Sequence, residues 1–377
     1  MKRMTAAGAI ARRLDNHRLV GRRLASPADV VRWLGAVQAQ DYAGAVWALA
    51  QRSRSNSASA AIDRAFDEGA ILRTHILPPT WHFVAPDDLR WMMTLSAPRV
   101  HAANGFVYRF SGLDAKTLTR AMRVLERALE GRRYRTRQEL AADLARARIA
   151  AAGTRLACIM MFAELEQSIC SGPRRGREFS YALFDERVPR APVISRDEAL
   201  ARLAGRYIAS HGPATLRDFC WWSGLTTRDA RRALEMLSPR VTLVDVDGLS
   251  CFSTAARAAS PPPLAHLLPN YDEYLVAYRD RQLVVTGSSG DGVVRAADAF
   301  AHHIVVDGRL AGSWSRPATP GGPVRLSLYA PLDRTRRRAV DAAVARFQAW
   351  QRGPDERHRR TADARKKPAS TSQAFEP

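Results

Sequence analysis

Apolar residues recur at a helical spacing through the first hundred residues of the chain. The pattern predicts a helix over 26–39, which Ser26 can cap at its N-terminus. The same spacing predicts helices over 58–68 and 86–96. Between these two helices, residues 70–85 alternate between apolar and polar positions, as a β-strand does, until two adjacent prolines interrupt the pattern.

Two later stretches repeat one order of elements. Helical patterns cover residues 118–130, 135–149 and 153–170, and again residues 195–212, 215–225 and 226–237. The first three are followed by a hairpin pattern over 171–189 with a basic, glycine-rich tip. The second three are followed by two short strands about Asp247–Gly248. Three helices and a hairpin are the order of a winged helix-turn-helix.

The last part of the chain has a different character. A proline-rich linker at 258–266 leads into alternating strands joined by Asp-Gly or glycine turns over 264–332. A helix is expected from Asp333 to about Trp350, and the polar end of the chain has the composition of a disordered segment.

The predicted fold class is α+β, with tandem winged helix-turn-helix units followed by a small C-terminal β-barrel-like domain. The three predicted winged-helix units cover residues 1–114, 115–193 and 194–258. The β-barrel-like domain with its final helix covers 264–350, and the disordered tail covers 351–377.

Arginine dominates the charged residues. The chain has 58 lysines and arginines against 37 acids, a net charge of +21, and only four of the 58 are lysines. A GC-rich coding sequence would favour arginine over lysine, but it would not explain the shortage of acids. Residues 350–377 carry only +3 of the net charge, so the body of the protein is basic. Such a body favours nucleic acid as partner, with an anionic membrane surface or an acidic protein as alternatives.

Several classes of protein do not fit this sequence. No stretch approaches the roughly 18 consecutive apolar residues of a membrane span, so no membrane association of that kind is expected. The four cysteines are far apart and form no C-x-x-C pair, which argues against a zinc site and a disulfide framework and favours a reduced, cytoplasmic location. No glycine-rich phosphate loop or metal-ligand cluster is present, so neither a cofactor nor a metal is expected.

Two glutamines, Gln38 and Gln40, end the first predicted helix in the stretch VQAQDYAG. A side-chain amide buried without a partner costs about 1–3 kcal/mol. The pair is therefore either polar filler at a helix end or a device that holds something polar. Asp41, which follows directly, is either a turn residue or a carboxylate near the same site.

Four stretches together resemble the AlkZ-like winged-helix DNA glycosylases. They read LGAVQAQDYAG, RTHILPPTWHFVAPDDLRWM, LLPNYDEYLVAYRDR and HHIVVDGRLAGSW, and the resemblance covers residues 10–345 in the same order. It implies three winged helices and a β-barrel arranged around duplex DNA. It also implies excision of alkylated purines, including unhooking of interstrand crosslinks, by a Gln-x-Gln or Gln-x-Asp motif. Gln38 and Gln40 match both positions of that motif.

The chemistry of such a substrate suits glutamines. A purine alkylated at N7 or N3 is already cationic, so it can leave without a general acid, and the sugar passes through an oxocarbenium-like state. Two amide carbonyl oxygens can position a water and face the developing positive charge. Lys116 is the only lysine between residues 10 and 350, which argues against a Schiff-base lyase and for a monofunctional hydrolase.

Candidate DNA contacts lie in two places. The stretch RTHILPPTWHFV supplies Arg73, His75, Thr80, Trp81 and His82, and the tip of the hairpin predicted over 171–189 supplies Arg174, Arg175 and Arg177. Packing beneath the first unit is the alternative for the two histidines, and a solvated turn is the alternative for the three arginines. The seven-residue gap between the histidines is not a zinc-ligand spacing.

The stretch PNYDEYLVAYRDR leaves two interpretations open. Asp272 and Glu273 are either a second catalytic pair, or charges that form ion pairs while the neighbouring tyrosines pack the barrel. The expected partner is double-stranded DNA with alkylated bases, bound by a monomer in the cytoplasm near the nucleoid. The rival function is a non-enzymatic winged-helix DNA-binding protein or transcriptional regulator, in which the glutamine pair would have no task.

Overall fold

The computed structural model describes residues 2–54, 59–78, 80–254, 264–285, 301–317, 319 and 322–365. The predicted linker falls mostly outside these ranges, as does the end of the predicted tail, 366–377. The N-terminal elements are β1 (Lys2–Met4), α1 (Ala6–Asn16), α2 (Pro27–Leu34), β2 (Ala36–Gln38), α3 (Tyr42–Arg52), α4 (Ser59–Asp67), β3 (Leu72–Ile76), β4 (Thr80–Val84) and α5 (Pro86–Phe110).

The N-terminal elements form a first set, and the middle of the chain contains two more. The second set is α6 (Ala115–Leu129), β5 (Arg135–Thr136), α7 (Arg137–Arg146), α8 (Gly153–Leu165), β6 (Ile169–Ser171), β7 (Ser180–Leu183) and α9 (Phe184–Arg187). The third set is α10 (Arg196–His211), α11 (Leu216–Ser223), α12 (Thr227–Glu235), β8 (Val241–Val246) and β9 (Leu249–Thr254). The C-terminal elements are β10 (Ala265–Leu268), α13 (Glu273–Val276), β11 (His302–Val306), β12 (Arg309–Ser315), β13 (Arg325–Leu328) and α14 (Arg334–Arg365).

The structure is α+β, as predicted, and one order of elements recurs in it. A helix, a short strand, two helices and a hairpin follow one another in the first two sets, whose sheets have the strand orders β2-β4-β3 and β5-β7-β6. In the third set a bridge from Ala214 to Phe252 replaces the short strand, and β1 joins the hairpin in the order β1-β8-β9. The hairpins of the second and third sets were predicted, and so were their helices except α9, which lies in a stretch that was expected to be strand. The assignment of these sets as winged helices stays a prediction.

Several helix ends follow from local sequence. Ser26 with Asp29 and Thr136 with Glu139 form capping boxes, in which the hydroxyl accepts from one backbone N–H and the carboxylate accepts from another. Other bounds differ from the predictions. α5 runs on to Phe110, and α14 runs on to Arg365, beyond the expected end near Trp350. α1 and α3 were not predicted.

The first predicted helix is shorter than its periodicity indicated. α2 ends at Leu34 because Gly35 adopts φ +86°, a conformation that glycine tolerates better than other residues. The chain then forms β2, which pairs antiparallel with β4 and places Gln38 opposite His82. The prediction of a helix through residue 39 was therefore wrong, and the two glutamines lie at and just beyond the end of a strand.

The C-terminal sheet is open in the residues that the structure describes. Its four antiparallel strands have the order β10-β11-β12-β13, and no closed barrel is formed by them. The barrel-like expectation was wrong for this part of the chain because α14 packs against β10 and β11, covering the sheet with a helix instead. Residues 273–276, expected within a strand, form the short helix α13.

β2 lies between two hydrophobic cores. Ala36 packs into a core shared with α5, α10 and Trp222 of α11. Val37 points to the other side, into a core with Trp47, Trp314 and Phe347 that includes the C-terminal sheet and α14. Because successive strand residues face opposite sides, this three-residue strand is held from both faces, and its end is well defined in space.

Candidate active site

The glutamine pair is attached to the start of β4. Gln38 is half-buried and its Nε2 donates to Oγ1 of Thr80 at 3.4 Å. Gln40 is exposed, and its Oε1 accepts from the backbone N–H of Trp81 at 3.4 Å. Ala39, between them, donates its N–H to the carbonyl oxygen of Trp81 at 2.7 Å. The first two residues of β4 therefore contact both side chains of the motif.

The carbonyl oxygen of Gln38 is the free end of this arrangement. With Nε2 turned to Thr80, Oε1 accepts no hydrogen bond from the protein residues that the structure describes. An amide oxygen in a half-buried position can accept from a water or face a cation.

Arg73 lies against the motif from the side of β3. Its Nε donates to the carbonyl oxygen of Ala39 at 3.1 Å, and its guanidinium carbon lies 4.2 Å from the ring centre of Trp81 and 4.7 Å from that of Phe179. The side chain is only 9% exposed. Burial lowers the pKa of Arg73 to about 10, and the nearby Glu164 opposes that shift. The group is still a cation at neutral pH, and it is enclosed by aromatic faces.

His75 is bound by a carboxylate of the second set. Nδ1 and the backbone N–H of His75 approach Oε2 of Glu164 at 2.8 and 2.9 Å, and the same oxygen accepts from Thr74 Oγ1 at 3.1 Å. The His75 ring lies 4.0 Å from that of Trp81. Glu164 is fully buried in α8, so it connects the second set to β3. Sequence reasoning missed it, although a single acid inside the apolar run LACIMMFAEL was a signal.

His82 is buried in the sheet, as the packing alternative expected. Burial lowers its pKa, so the neutral imidazole is favoured. Nδ1 lies 2.9 Å from the carbonyl oxygen of Thr80, which can only accept, so Nδ1 carries the proton. The ring thereby supports the start of β4, where Thr80 contacts Gln38.

The hairpin arginines divide into two kinds. Arg174 is bound to α4 through Asp63 at 3.0 Å, and Arg175 is bound to Glu139 of α7 at 2.6 Å. Arg177 is exposed. Together with Arg73, Trp81 and Tyr181, it lines an open cleft of about 600 Å³ between the first two sets. The structure thus brings the exposed tip of the β6–β7 hairpin to the neighbourhood of the glutamine motif.

The structure places the carboxylates of Asp41, Asp272 and Glu273 in three different environments. Asp41 caps α3 by accepting from the N–H of Gly44 and forms an ion pair with Arg316 of the C-terminal region. Asp272 is buried and forms a two-point ion pair with Arg52 at 2.6 and 2.9 Å, the structural alternative. Glu273 is also buried, but its Oε1 accepts from the backbone N–H of Gln38 at 2.8 Å, so it belongs to the motif's surroundings.

The site shows no sign of a metal centre in the described part of the chain, where no three histidine, cysteine or acidic side chains cluster as ligands. Across the same residues, no helix is long and apolar enough to cross a membrane. The groups at the motif are amides, a hydroxyl, aromatic rings, the Arg73 guanidinium and the Glu273 carboxylate, which suit hydrogen bonding and a cation.

Comparison with known proteins gives consistent results. The family described as DNA glycosylase AlkZ-like matches residues 31–350. The interstrand DNA cross-link repair glycosylase of Streptomyces sahachiroi is 25% identical over 336 residues, which cover 80% of this chain and 85% of that protein. The structure of Streptomyces sahachiroi DNA glycosylase AlkZ matches with a TM-score of 0.76 at 22% identity, over 93% of this chain and 98% of that one. At this identity the likeness of structure shows a shared fold.

Proposed function

Because the chain belongs to the AlkZ-like DNA glycosylase family, we propose that it is a monofunctional DNA glycosylase that excises cationic alkylated purines from double-stranded DNA. The substrates would carry adducts at N7 or N3, and interstrand crosslinks through these atoms fall in the same class. The name of the Streptomyces relative, a cross-link repair glycosylase, supports the second kind of substrate. The protein would act as a monomer, in the cytoplasm at the nucleoid.

The reaction needs little acid–base chemistry. The bond between C1′ and the purine nitrogen breaks, the electron pair neutralises the cationic base, and positive charge develops on the sugar. A water then adds to C1′ and loses its proton to solvent. Gln38 would hold that water through Oε1, and Gln40 would face the same charge with the second lone pair of Oε1, the first of which accepts from the Trp81 N–H.

A lyase step has no support from the described site. A Schiff base requires an amine beside the sugar. Lys116 lies in the first turn of α6, and the motif is surrounded by amides, a hydroxyl and a guanidinium instead.

DNA would lie across the exposed edge of the motif. Trp81 and Thr80 would contact the lesion strand beside the glutamines, and Arg177 would contact phosphate from the hairpin tip. Arg73, His75 and His82 would support this surface from below through the contacts described above. Arg174 and Arg175 would contribute by exchanging their present carboxylate partners for phosphates. Three winged-helix units would position this surface on the duplex.

One observation carries the proposal. Two side-chain amides, which match the family's motif positions, both contact the first two residues of β4. One of them, Gln38, presents its oxygen without a protein partner among the described residues.

An excision assay tests the proposal. Duplex DNA containing one N7-methylguanine is incubated with the protein, and abasic sites are read as alkali-labile breaks. We expect breaks at the lesion only after alkali, and EDTA should not prevent them. Tight DNA binding without any excision would favour the regulator, and breaks without alkali would show a lyase.

A further inference from the structure

Glu273 is the one buried carboxylate that touches the motif among the residues the structure describes. Its side chain is 1% exposed and lies at the start of α13. Oε1 accepts from the backbone N–H of Gln38 at 2.8 Å, and Oε2 accepts from Nε1 of Trp222 at 3.1 Å. The carboxylate therefore joins the C-terminal region and α11 to the end of β2.

The position suits a carboxylate. β2 is an edge strand of its sheet, so on the side away from β4 the Gln38 N–H faces no neighbouring strand in the described part of the chain. An N–H that donates to a carboxylate forms a shorter and stronger hydrogen bond than one that donates to a neutral oxygen. Glu273 thus accepts the hydrogen bond that a neighbouring strand would otherwise accept from Gln38, whose side chain would hold the water.

The groups described next to Glu273 leave its negative charge available to the hydrogen bond from the Gln38 N–H. His211 Nε2 lies 3.6 Å from Oε2, and burial lowers the pKa of His211, so the neutral imidazole does not balance the carboxylate. The buried cation Arg52 is paired with Asp272, the residue before Glu273. The two hydrogen bonds to Glu273 come from uncharged donors, Gln38 and Trp222.

We propose that Glu273 is a positioning residue for excision, which holds the end of β2, and with it the Gln38 side chain, through a charge-assisted hydrogen bond from the Gln38 N–H. This inference rests on the proposed function. It predicts that the carboxylate acts on the rate of bond cleavage through Gln38 and has little effect on binding of DNA, whose affinity comes from the basic surface.

The first test compares two buried carboxylates. Glu273→Gln keeps the shape and removes the charge, and it should slow single-turnover excision of N7-methylguanine about 10- to 100-fold, with DNA affinity changed less than about twofold. Asp218→Asn is the matched control, because Asp218 is equally buried and accepts from the backbone N–H groups of Arg279 and Asp280, away from the motif. Its rate per folded molecule should stay within about twofold of wild type.

A double-mutant cycle separates positioning from general stability. If Glu273 acts through Gln38, adding Glu273→Gln to Gln38→Ala should slow the reaction no further, after correction for spontaneous depurination. Independent, multiplying losses, or a wild-type rate for Glu273→Gln, would overturn the inference. Should Glu273→Gln fail to fold, Trp222→Phe removes the other donor to the carboxylate and takes its place in the cycle, with an expected loss of about 3- to 10-fold. Wild-type protein that leaves N7-methylguanine intact would instead contradict the proposed function.

Discussion

Arg73 donates from Nε to the carbonyl oxygen of Ala39 at 3.1 Å, so a guanidinium is bound to the residue between the two glutamines. The same group lies over Trp81, whose backbone N–H and C=O bind Gln40 and Ala39. One buried cation therefore links β3, the start of β4 and the motif. The proposed lesion is itself cationic, so a guanidinium at this place would repel it unless the guanidinium were bound by partners of its own. Those partners are two aromatic rings and the Ala39 carbonyl oxygen.

Arg73→Lys should harm both stability and excision. Lysine keeps the charge but cannot lie flat between two rings while donating to Ala39. We expect the free energy of unfolding, measured in urea, to fall by about 1–3 kcal/mol and single-turnover excision to fall about tenfold. Arg123→Lys, on the exposed side of α6, is the control and should change neither. Equal behaviour of the two variants would remove Arg73 from the support of the motif.

The glutamines should differ in what they tolerate. Gln38→Ala and Gln40→Ala should each lower single-turnover excision by about 10²–10³, with little change in DNA affinity. Gln38→Leu should be as damaging as Gln38→Ala, because shape without an oxygen does nothing for a cation.

Gln40→Asp should retain far more activity than Gln40→Ala. A carboxylate still offers an acceptor to the Trp81 N–H and adds attraction for the oxocarbenium ion, and the resemblance gives Gln-x-Asp as the motif's other form. Rates for the two variants are compared on the same N7-methylguanine duplex. A Gln40→Ala variant as fast as wild type would leave the glutamines as filler.

Stability should decline toward acid because of buried neutral histidines. Burial, with Arg346 and Arg52 nearby, lowers the pKa of His266 to about 3. Between the ordinary value near 6.5 and about 3, the unfolded chain binds a proton that the folded protein does not, so folding is weakened as pH falls through this window. His266 alone should contribute about 1.4 kcal/mol per pH unit there. The free energy of unfolding, measured in urea between pH 4.5 and 6, should depend less steeply on pH in His266→Gln than in wild type, by the equivalent of about one proton. An unchanged dependence on pH would contradict this.

DNA binding should depend steeply on salt. If the basic body neutralises about 6–8 phosphates, the logarithm of the binding constant against the logarithm of salt concentration should have a slope of about −5 to −7. Fluorescence anisotropy with an undamaged duplex measures this. Arg177→Ala should reduce the magnitude of the slope by about one. A slope near zero would remove nucleic acid as the partner.

Local sequence determined most of the helices and two of the hairpins. Thr136 and Glu139 cap α7 within one turn, and the turn at Asp247–Gly248 connects β8 to β9 as predicted. These features depend on residues within a few positions of one another, so periodicity and caps suffice to predict them. The glutamine motif was also found from sequence, through four stretches that are distinctive together.

Only the tertiary structure decided what surrounds the motif. The apolar spacing of 26–39 fits a helix, but Gly35 ends it and pairing with β4 makes a strand of the next three residues. Glu164 and Glu273 reach the sheet of the first set from α8 and α13, far along the chain. Arg174 and Arg175, free by sequence, are bound by carboxylates of other helices. Strand pairing and charge pairing between distant residues depend on where the packed elements meet, and no local pattern of apolar and polar positions encodes that.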